Sequence, residues 1–471
     1  MPVKRPNLLM ITVDDMANID LKYMPNVEKM IAGTGVTFTR GIAPTPICVP
    51  ARASLLTGQY AINHGARTIS GPHGGYKSFD NDKTIATALH DSGYTTLFAG
   101  KYLNGYGTHG TSTDVPPGWT QWHATVDPTT YNFFKQTWNV NGKLVNHQGY
   151  SSTVITNVAK GELASTHAET SGKPWFQWVN YVAPHFGGPT FKGDPKQLWP
   201  GTQAAISVTH PDPRDLGRYK SVKMPQTPSL FPTDTEGFAL GSPAKHRFTP
   251  TAKQALQIAY ERRIEATAGL DREITRLLAP LRADGQLART LVVIASDNGY
   301  STGYHNFNGK LWHYDEALTI PVMMSGPGVP HGRVVGTPVT NPDIAATLLA
   351  AAGVKSQRPL DGLDILPWLG APDQNRVIPV GGWNEGNGNR RLWWGVTVGP
   401  WTYAKLAHTG QVEVFDRAKD PYEMDNLARD PAYSGTVRQL HRLAAAYRAC
   451  AGNTCPKSMY AATDPLDLSR L

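Results

Sequence analysis

The feature that most constrains this chain is a short apolar run that stops at two aspartates. Residues 7–13 read NLLMITV, and Asp14 and Asp15 follow at once. A nearly unbroken apolar run of this length suits a strand buried on both faces in a parallel sheet; a half-exposed strand would alternate. The pattern returns at TLVVIAS (290–296), which ends in Asp297 and Asn298. YTTLFAG (94–100) leads into Lys101, and PWFQWVNYVA (174–183) leads into Pro184 and His185. Helical spacing lies between these runs. It covers DKTIATALHDSG (82–93), a long amphipathic segment (251–285) free of proline until Pro280, and NPDIAATLLAAAG (341–353). Strands alternating with helices predict an α/β fold, a large and mostly parallel sheet flanked by helices.

The 471 residues exceed the roughly 250–300 at which a single core stops growing, so two domains are expected. The texture changes after about residue 370. LWWGVTVG, WTYAKLA and VEVFD read as short antiparallel strands, and TVRQLHRLAAAYRA reads as a helix. The expected division is a catalytic unit over 1–370 and a smaller α+β unit over 371–471, with a small antiparallel sheet and a terminal helix. Segments 103–150 and 183–250 are rich in Gly, Pro, Trp, Tyr and His, and read as long irregular functional loops.

Composition narrows the partners. With 40% hydrophobic and 17% charged residues, the chain is globular and not disordered. No stretch reaches the roughly 18 apolar residues that a membrane span needs. The N-terminal run lacks a small-residue cleavage site, so no signal peptide is read, although a leader already removed would leave the same sequence. The compartment stays open. The net charge of +8 favours anionic substrates. With no Lys/Arg block, the reading is a soluble protein with a mildly basic surface and no nucleic-acid partner. Cys450 and Cys455 are close enough to close a small disulfide, which would imply an oxidising compartment; two free thiols are the alternative.

In open α/β sheets, ligands bind beyond the carboxyl ends of the strands. Asp14, Asp15, Asp297 and Asn298 are hard oxygen donors at two such ends. Brought together, the carboxylates would repel unless a cation joined them, and an oxygen set favours Ca²⁺ or Mg²⁺ over zinc. Taken singly, each pair also reads as a turn or a helix cap. The stretch CVPARASLLTG (48–58) adds a lone cysteine. Pro50 suits the first turn of a helix, so Cys48 sits at a helix N-terminus, where negative charge is favoured. Arg52 follows about one turn later on the same face. The alternative, a cysteine serving as a small buried hydrophobe, fits poorly with such polar neighbours.

C-V-P-A-R followed by T-G resembles the signature of the sulfatase family. ITVDDM resembles that family's first metal pair, SDNG (296–299) its second, and Gly100-Lys101 its active-site lysine. Pro184-His185 looks like its histidine, NGKLWHYDEALTIPVMMSGPG (308–328), with Lys310, like its second lysine segment, and DPYEMDNL (420–427) like its C-terminal tag. The resemblance runs from residue 7 to about 427. It implies an alkaline-phosphatase-like fold and hydrolysis of aryl or sugar sulfate monoesters. It implies oxidation of Cys48 to formylglycine by a formylglycine-generating enzyme. The cation implied is Ca²⁺, with Mg²⁺ the alternative, held by Asp14, Asp15, Asp297, Asn298 and the residue-48 side chain. Cys48, Arg52, Lys101, His185 and Lys310 become the catalytic set. Many relatives have GKWH where this chain has GKYLNGYG, so Leu103 replaces a histidine. That variant resembles the N-acetylglucosamine-6-sulfatase and extracellular glucosamine sulfatase branch, and it makes His305 and His313 candidates for the displaced base. His64 reads as structural, packed near the helix after Cys48. Two rival readings are a formylglycine-dependent phosphonate monoester or phosphodiester hydrolase, and a non-catalytic carbohydrate-binding relative with an unmodified Cys48.

Overall fold

The computed structural model describes residues 5–169, 172–195, 206–384, 388–455 and 457–461. Its main sheet has eleven strands. The first eight along the chain are β1 (Asn7–Val13), β2 (Gly35–Ile42), β3 (Thr95–Lys101), β4 (Gln121–Thr125), β5 (Lys135–Val140), β6 (Lys143–Gln148), β7 (Trp175–Asn180) and β8 (Thr290–Ser296). The central order β8-β1-β7-β3-β4 is wholly parallel. The strand Thr319–Ser325 runs antiparallel between β8 and β2, and β5 and β6 add an antiparallel hairpin at the far edge. The sheet is therefore mixed around a parallel centre.

The apolar runs of β1 and β8 are continuous because both faces are covered. On one face, Leu8 and Met10 pack with Phe98, Trp122 and Trp178, and with Val49 and Leu55 of the helix Cys48–Thr57. On the other, Leu9, Ile11 and Val13 pack against Leu270, Ile274 and Leu277 of the long helix Pro250–Ala283. Register then aligns the strand ends. Val13 pairs with Ser296, Thr12 with Asn180, and Asn180 with Gly100. The residues that follow β1 and β8, and Lys101 at the end of β3, emerge at one edge of the sheet.

Helix boundaries follow local chemistry. The predicted helix over 82–93 is Ile85–Asp91, opened by a capping box between Thr84 and Thr87. Asn341–Ala352 ends where Gly353 turns left-handed at φ 65°. Pro280 lies inside the last turns of Pro250–Ala283 and does not end it. Segment 103–150 departs from the loop expectation, since it supplies β4, β5 and β6. The described part of 183–250 is irregular apart from a short turn at Pro243–Lys245.

Ile378–Trp383, Arg391–Val398, Trp401–Leu406 and Val412–Asp416 form a separate four-stranded antiparallel sheet. The helix Ser434–Tyr447 lays Leu440 and Leu443 on Val396 and Tyr403 of that sheet. Cys450 and Cys455 are joined by a disulfide. No described helix is long and apolar enough to cross a membrane.

Candidate functional site

The site is built at the aligned strand ends. Asp14 and Asp15 leave β1 fully buried, and Asp15 adopts φ 68°. Aspartate tolerates that left-handed backbone better than most residues. The turn lets two consecutive carboxylates reach one cluster. Asp297 leaves β8 beside them: its backbone N–H donates to Val13 O at 3.1 Å, and its Oδ1 accepts from the backbone N–H of Asp15 at 3.2 Å. The Asn298 amide donates to Asp15 Oδ1 at 2.7 Å. Asp14-Asp15 and Asp297-Asn298 thus share one edge, although Asp15 and Asp297 are 282 residues apart in the chain.

Cys48 opens its helix, as the proline spacing predicts. Its Sγ lies 3.5 Å from Asp14 Oδ1, and the Lys310 ammonium stands 2.8 Å from it. Burial, joined by the Asp14 carboxylate, pushes the Cys48 thiol up to about 12. A thiol so protonated is a poor nucleophile at neutral pH. Arg52 lies one turn along, fully buried. Its Nε donates to Asp297 Oδ2 at 2.9 Å, and its Nη1 to Asn180 Oδ1 at 2.9 Å and Lys101 O at 3.0 Å. The Lys101 ammonium is paired with Asp14, and the Lys310 ammonium with Asp15.

These cations set the acidity of the carboxylates. Burial alone would raise Asp14, but Lys101, His185, Arg52 and Lys310 outweigh it and hold the carboxyl well below its usual range. Asp297 goes the other way, pushed up to about 7 by burial and by Asp14, with Arg52 opposing. His185 Nδ1–H donates to Phe186 O at 2.6 Å, which leaves Nε2 as the lone-pair nitrogen, 3.5 Å from Asp15 Oδ2. Burial pushes this imidazole down to about 4 against the pull of Asp15 and Asp14.

Two acceptors facing each other need a proton or a cation between them. Asp15 Oδ2 and Asn298 Oδ1 are buried and have no hydrogen-bond partner. Ligand atoms of Asp14, Asp15, Cys48 and His185 all lie within 4.8 Å of one another. The carboxylate and amide oxygens of Asp14, Asp15 and Asn298 fit a small hard cation, whereas the Cys48 thiol and the His185 imidazole are softer donors. This grouping brings in His185, whereas Asp297 is engaged by Arg52 and backbone N–H groups.

Sequence reasoning missed four contributors. Tyr131 lies between two expected site residues: its ring is 4.6 Å from the His185 ring, and the Lys101 ammonium sits 4.8 Å above its face. Asn104 donates to the Tyr131 hydroxyl at 2.7 Å. Asn180 receives Arg52 and also bonds Thr12. Arg263, from the long helix, donates to the backbone carbonyls of Asp15 and Pro184 and so ties the loops after β1 and β7. A charged residue on a buried helix face was the available signal for Arg263.

The other histidines lie elsewhere. His305 bonds Glu316 at 3.1 Å and Tyr422 O at 3.1 Å, and His313 bonds Glu413 at 2.6 Å, so both are engaged away from the cluster. Leu103 is buried in the apolar core. His64 clamps the Cys48 helix: Nε2–H donates to Pro50 O at 3.2 Å while Nδ1 accepts from Ala66 N–H at 3.2 Å. Burial pushes its imidazole down to about 3, in keeping with this neutral tautomer.

Comparison with known proteins agrees with the geometry. The profile of the family described as Sulfatase matches residues 6–354, and that of the N-sulphoglucosamine sulphohydrolase C-terminal region matches 303–449. An arylsulfatase of Volvox carteri is 29% identical, aligned over 96% of this chain and 76% of its own length. The N-acetylglucosamine-6-sulfatase of Homo sapiens is 28% identical over 78% of this chain, which spans 64% of that relative. A structure described as a complex with its substrate D-glucosamine-2-N,6-O-disulfate superposes with a TM-score of 0.75 at 20% identity, covering 94% of this chain and 97% of that one. The phosphonate monoester hydrolase of Agrobacterium radiobacter shares the fold at a TM-score of 0.67 and 20% identity, covering 94% and 96% of the two chains. The alkaline-phosphatase-like architecture, the aligned strand ends and these matches converge: the chain belongs to the sulfatase family and is a sulfuric ester hydrolase.

Proposed function

We propose that this enzyme hydrolyses sulfate monoesters of sugars or aryl alcohols through formylglycine made from Cys48, assisted by a divalent cation. The carrying observation is the setting of Cys48: a buried helix-start thiol, held protonated, among two lysines, an arginine and three carboxylates. As a thiol it has little use there; as a hydrated aldehyde it would supply a hydroxyl to attack sulfur and a second hydroxyl to expel sulfate afterwards. Asp14, Asp15, Asp297, Asn298 and the residue-48 side chain would hold the cation, with His185 adjoining. Bound there, Ca²⁺ or Mg²⁺ would supply Lewis acidity and positive charge beside an anionic ester.

The chain's own residues carry the other steps. Arg52, fixed by Asp297 and Asn180, holds the residue-48 geometry. Lys101 and Lys310 place N–H donors where charge gathers on the sulfuryl oxygens. Asp297 takes the proton from the attacking hydroxyl. His185, steadied by Phe186 O and the Tyr131 ring, protonates the departing alcohol, with Lys310 the competing donor. We further propose that the chain divides near residue 370, since the small sheet and the helix Ser434–Tyr447 pack on each other in an apolar cluster drawn mostly from residues after 370, with Tyr60 joining it from the larger unit.

An intact-peptide mass spectrum across residue 48, paired with turnover of an aryl sulfate and an aryl phosphonate, tests the reading. An aldehyde at residue 48 and preference for the sulfate are expected. A thiol in an active enzyme would remove formylglycine from the mechanism, and preference for the phosphonate would reassign the substrate.

A further inference from the structure

The sequence has no basic block, yet the fold gathers one. Arg67 follows the Cys48 helix, Arg390 and Arg391 open the strand Arg391–Val398, Lys405 lies on Trp401–Leu406, and Arg448 follows the helix Ser434–Tyr447. Together with His408 they line an open cleft of about 610 Å³, and no Asp or Glu lines it among the described residues. Among the described residues, none of these five cations is ion-paired with a carboxylate.

Aromatic faces hold the cations in place instead. The Arg391 guanidinium lies 4.9 Å over Trp383, and Arg448 and Lys405 lie 5.4 Å and 6.0 Å over Trp394. Both tryptophans are buried, so the cations cover them from the solvent side. A ring face attracts a cation without consuming its N–H donors. Among the described residues no carboxylate therefore compensates the positive charge, and apart from Arg391 Nη2, which donates to Arg448 O at 3.2 Å, the ring contacts leave the guanidinium N–H donors to a ligand. Arg67 Nε is buried with no hydrogen-bond partner. Burial first, and then the nearby Arg448 and Arg67, push Arg391 down to about 10, a charge that a bound anion would stabilise.

We propose that this cleft is a second binding site, separate in composition from the catalytic cluster, that takes the sulfate groups of a multiply sulfated saccharide. Planar guanidinium forks match the paired oxygens of a sulfate group. Cations spread over four chain segments suit several anionic groups along an oligomer better than one small anion. The saccharide class rests on the sulfate-ester reading above; the anion binding does not.

The test measures binding of size-defined heparin oligosaccharides, as the probe, to the full chain and to Arg391→Gln/Arg448→Gln. Loss of charge-assisted contacts should weaken binding by about tenfold or more per arginine. Thermal unfolding monitors the fold, and Lys405→Glu provides a second variant should the double one unfold. Turnover of a small aryl sulfate should be unchanged in every variant. The same titrations use a desulfated oligosaccharide and a short DNA duplex. Undiminished heparin binding in the folded variants overturns the proposal, as does equal binding of the desulfated probe. Equal DNA binding, lost in the same variants, replaces it with a general polyanion surface. If Cys48→Ala binds heparin normally while no form of the enzyme hydrolyses aryl sulfate, the catalytic reading fails alone. If hydrolysis is normal and the cleft variants bind as before, this proposal fails alone.

Discussion

The Lys310 ammonium stands 2.8 Å from Cys48 Sγ, although 262 residues separate the two in the chain. Its other partner is the Asp15 carboxylate. Burial opposes its charge, but Asp15 and the neighbouring anions hold its pKa well above the ordinary lysine value. Lys310 is therefore a permanent cation beside Cys48, and in the proposed mechanism it would grip the sulfate. His185 is pushed down to about 4 by burial, and an anionic ester beside it acts in the opposite sense. The roles separate by leaving group. General acid catalysis is worth about 10²–10⁴-fold, most where the alkoxide is basic. His185→Ala should lose far more rate on an alkyl or sugar sulfate than on a nitrophenyl sulfate, whereas Lys310→Ala should weaken both about equally. The reverse pattern assigns the acid to Lys310.

Cys48→Ala should abolish sulfate-ester hydrolysis and leave the fold intact. The side chain is small and only one atom is removed from a well-packed helix start. Circular dichroism and aryl sulfate turnover check the two halves. Near-normal turnover would exclude residue 48 as the nucleophile.

Tyr131 offers a test of ring against hydroxyl. Its face supports Lys101 and His185, and its hydroxyl accepts from Asn104. A cation–π contact is worth about 0.5–2 kcal/mol. Tyr131→Phe should keep most of kcat/KM, while Tyr131→Leu should lose up to about thirtyfold, converting that range at 1.4 kcal/mol per decade. Equal losses would place the effect in the hydroxyl.

Divalent cation should raise the melting temperature, and chelator should lower it. A ligand present at 100 times its Kd stabilises by about 2.7 kcal/mol. Arg263→Ala releases the Asp15 carbonyl and leaves the buried Asp20, 3.7 Å away, without its cation. Breaking a buried pair costs about 3–5 kcal/mol, so stability should fall. The cation-induced shift should shrink as well, which separates loss of the Asp15 turn from a general loss of packing.

His305 predicts an alkaline limb. Both ring nitrogens face acceptors, Glu316 Oε2 and Tyr422 O, as an imidazolium requires. Burial would lower its pKa, but the Glu316 carboxylate outweighs this and lifts it to about 9. A group raised on folding stabilises fully below its unfolded value, about 6.5, and that contribution fades as pH climbs through about 9. Melting temperature should fall across that window, and His305→Gln should flatten the fall.

What the sequence made legible was the centre of the molecule. β1 and β8 coincide with their apolar runs because both faces are buried there, and Asp14 and Asp297 follow from where those runs stop. The sheet edge was not read. KQTWNV and KLVNHQ mix polar and apolar residues because β6 is largely exposed. Yet Asn141-Gly142, at φ 49° and 88°, is a two-residue hairpin turn whose signature was present in the letters. Tyr131, Asn104 and Arg263 escaped because their roles come from tertiary neighbours and not from local pattern. The basic cleft escaped for the same reason: its cations come from four separated segments.

The clamp that His64 sets on the Cys48 helix has a consequence for timing. Cys48 is 2% exposed, and the helix it opens is pinned through Pro50 in its first turn and Ser54 in its second. No enzyme can thread a sealed, helical segment through its own active site. If residue 48 is converted to an aldehyde, conversion must win a race against folding, while the segment is still extended. A molecule that folds first is locked out for its lifetime as a native protein, so the active fraction of any preparation records that race and not its later history.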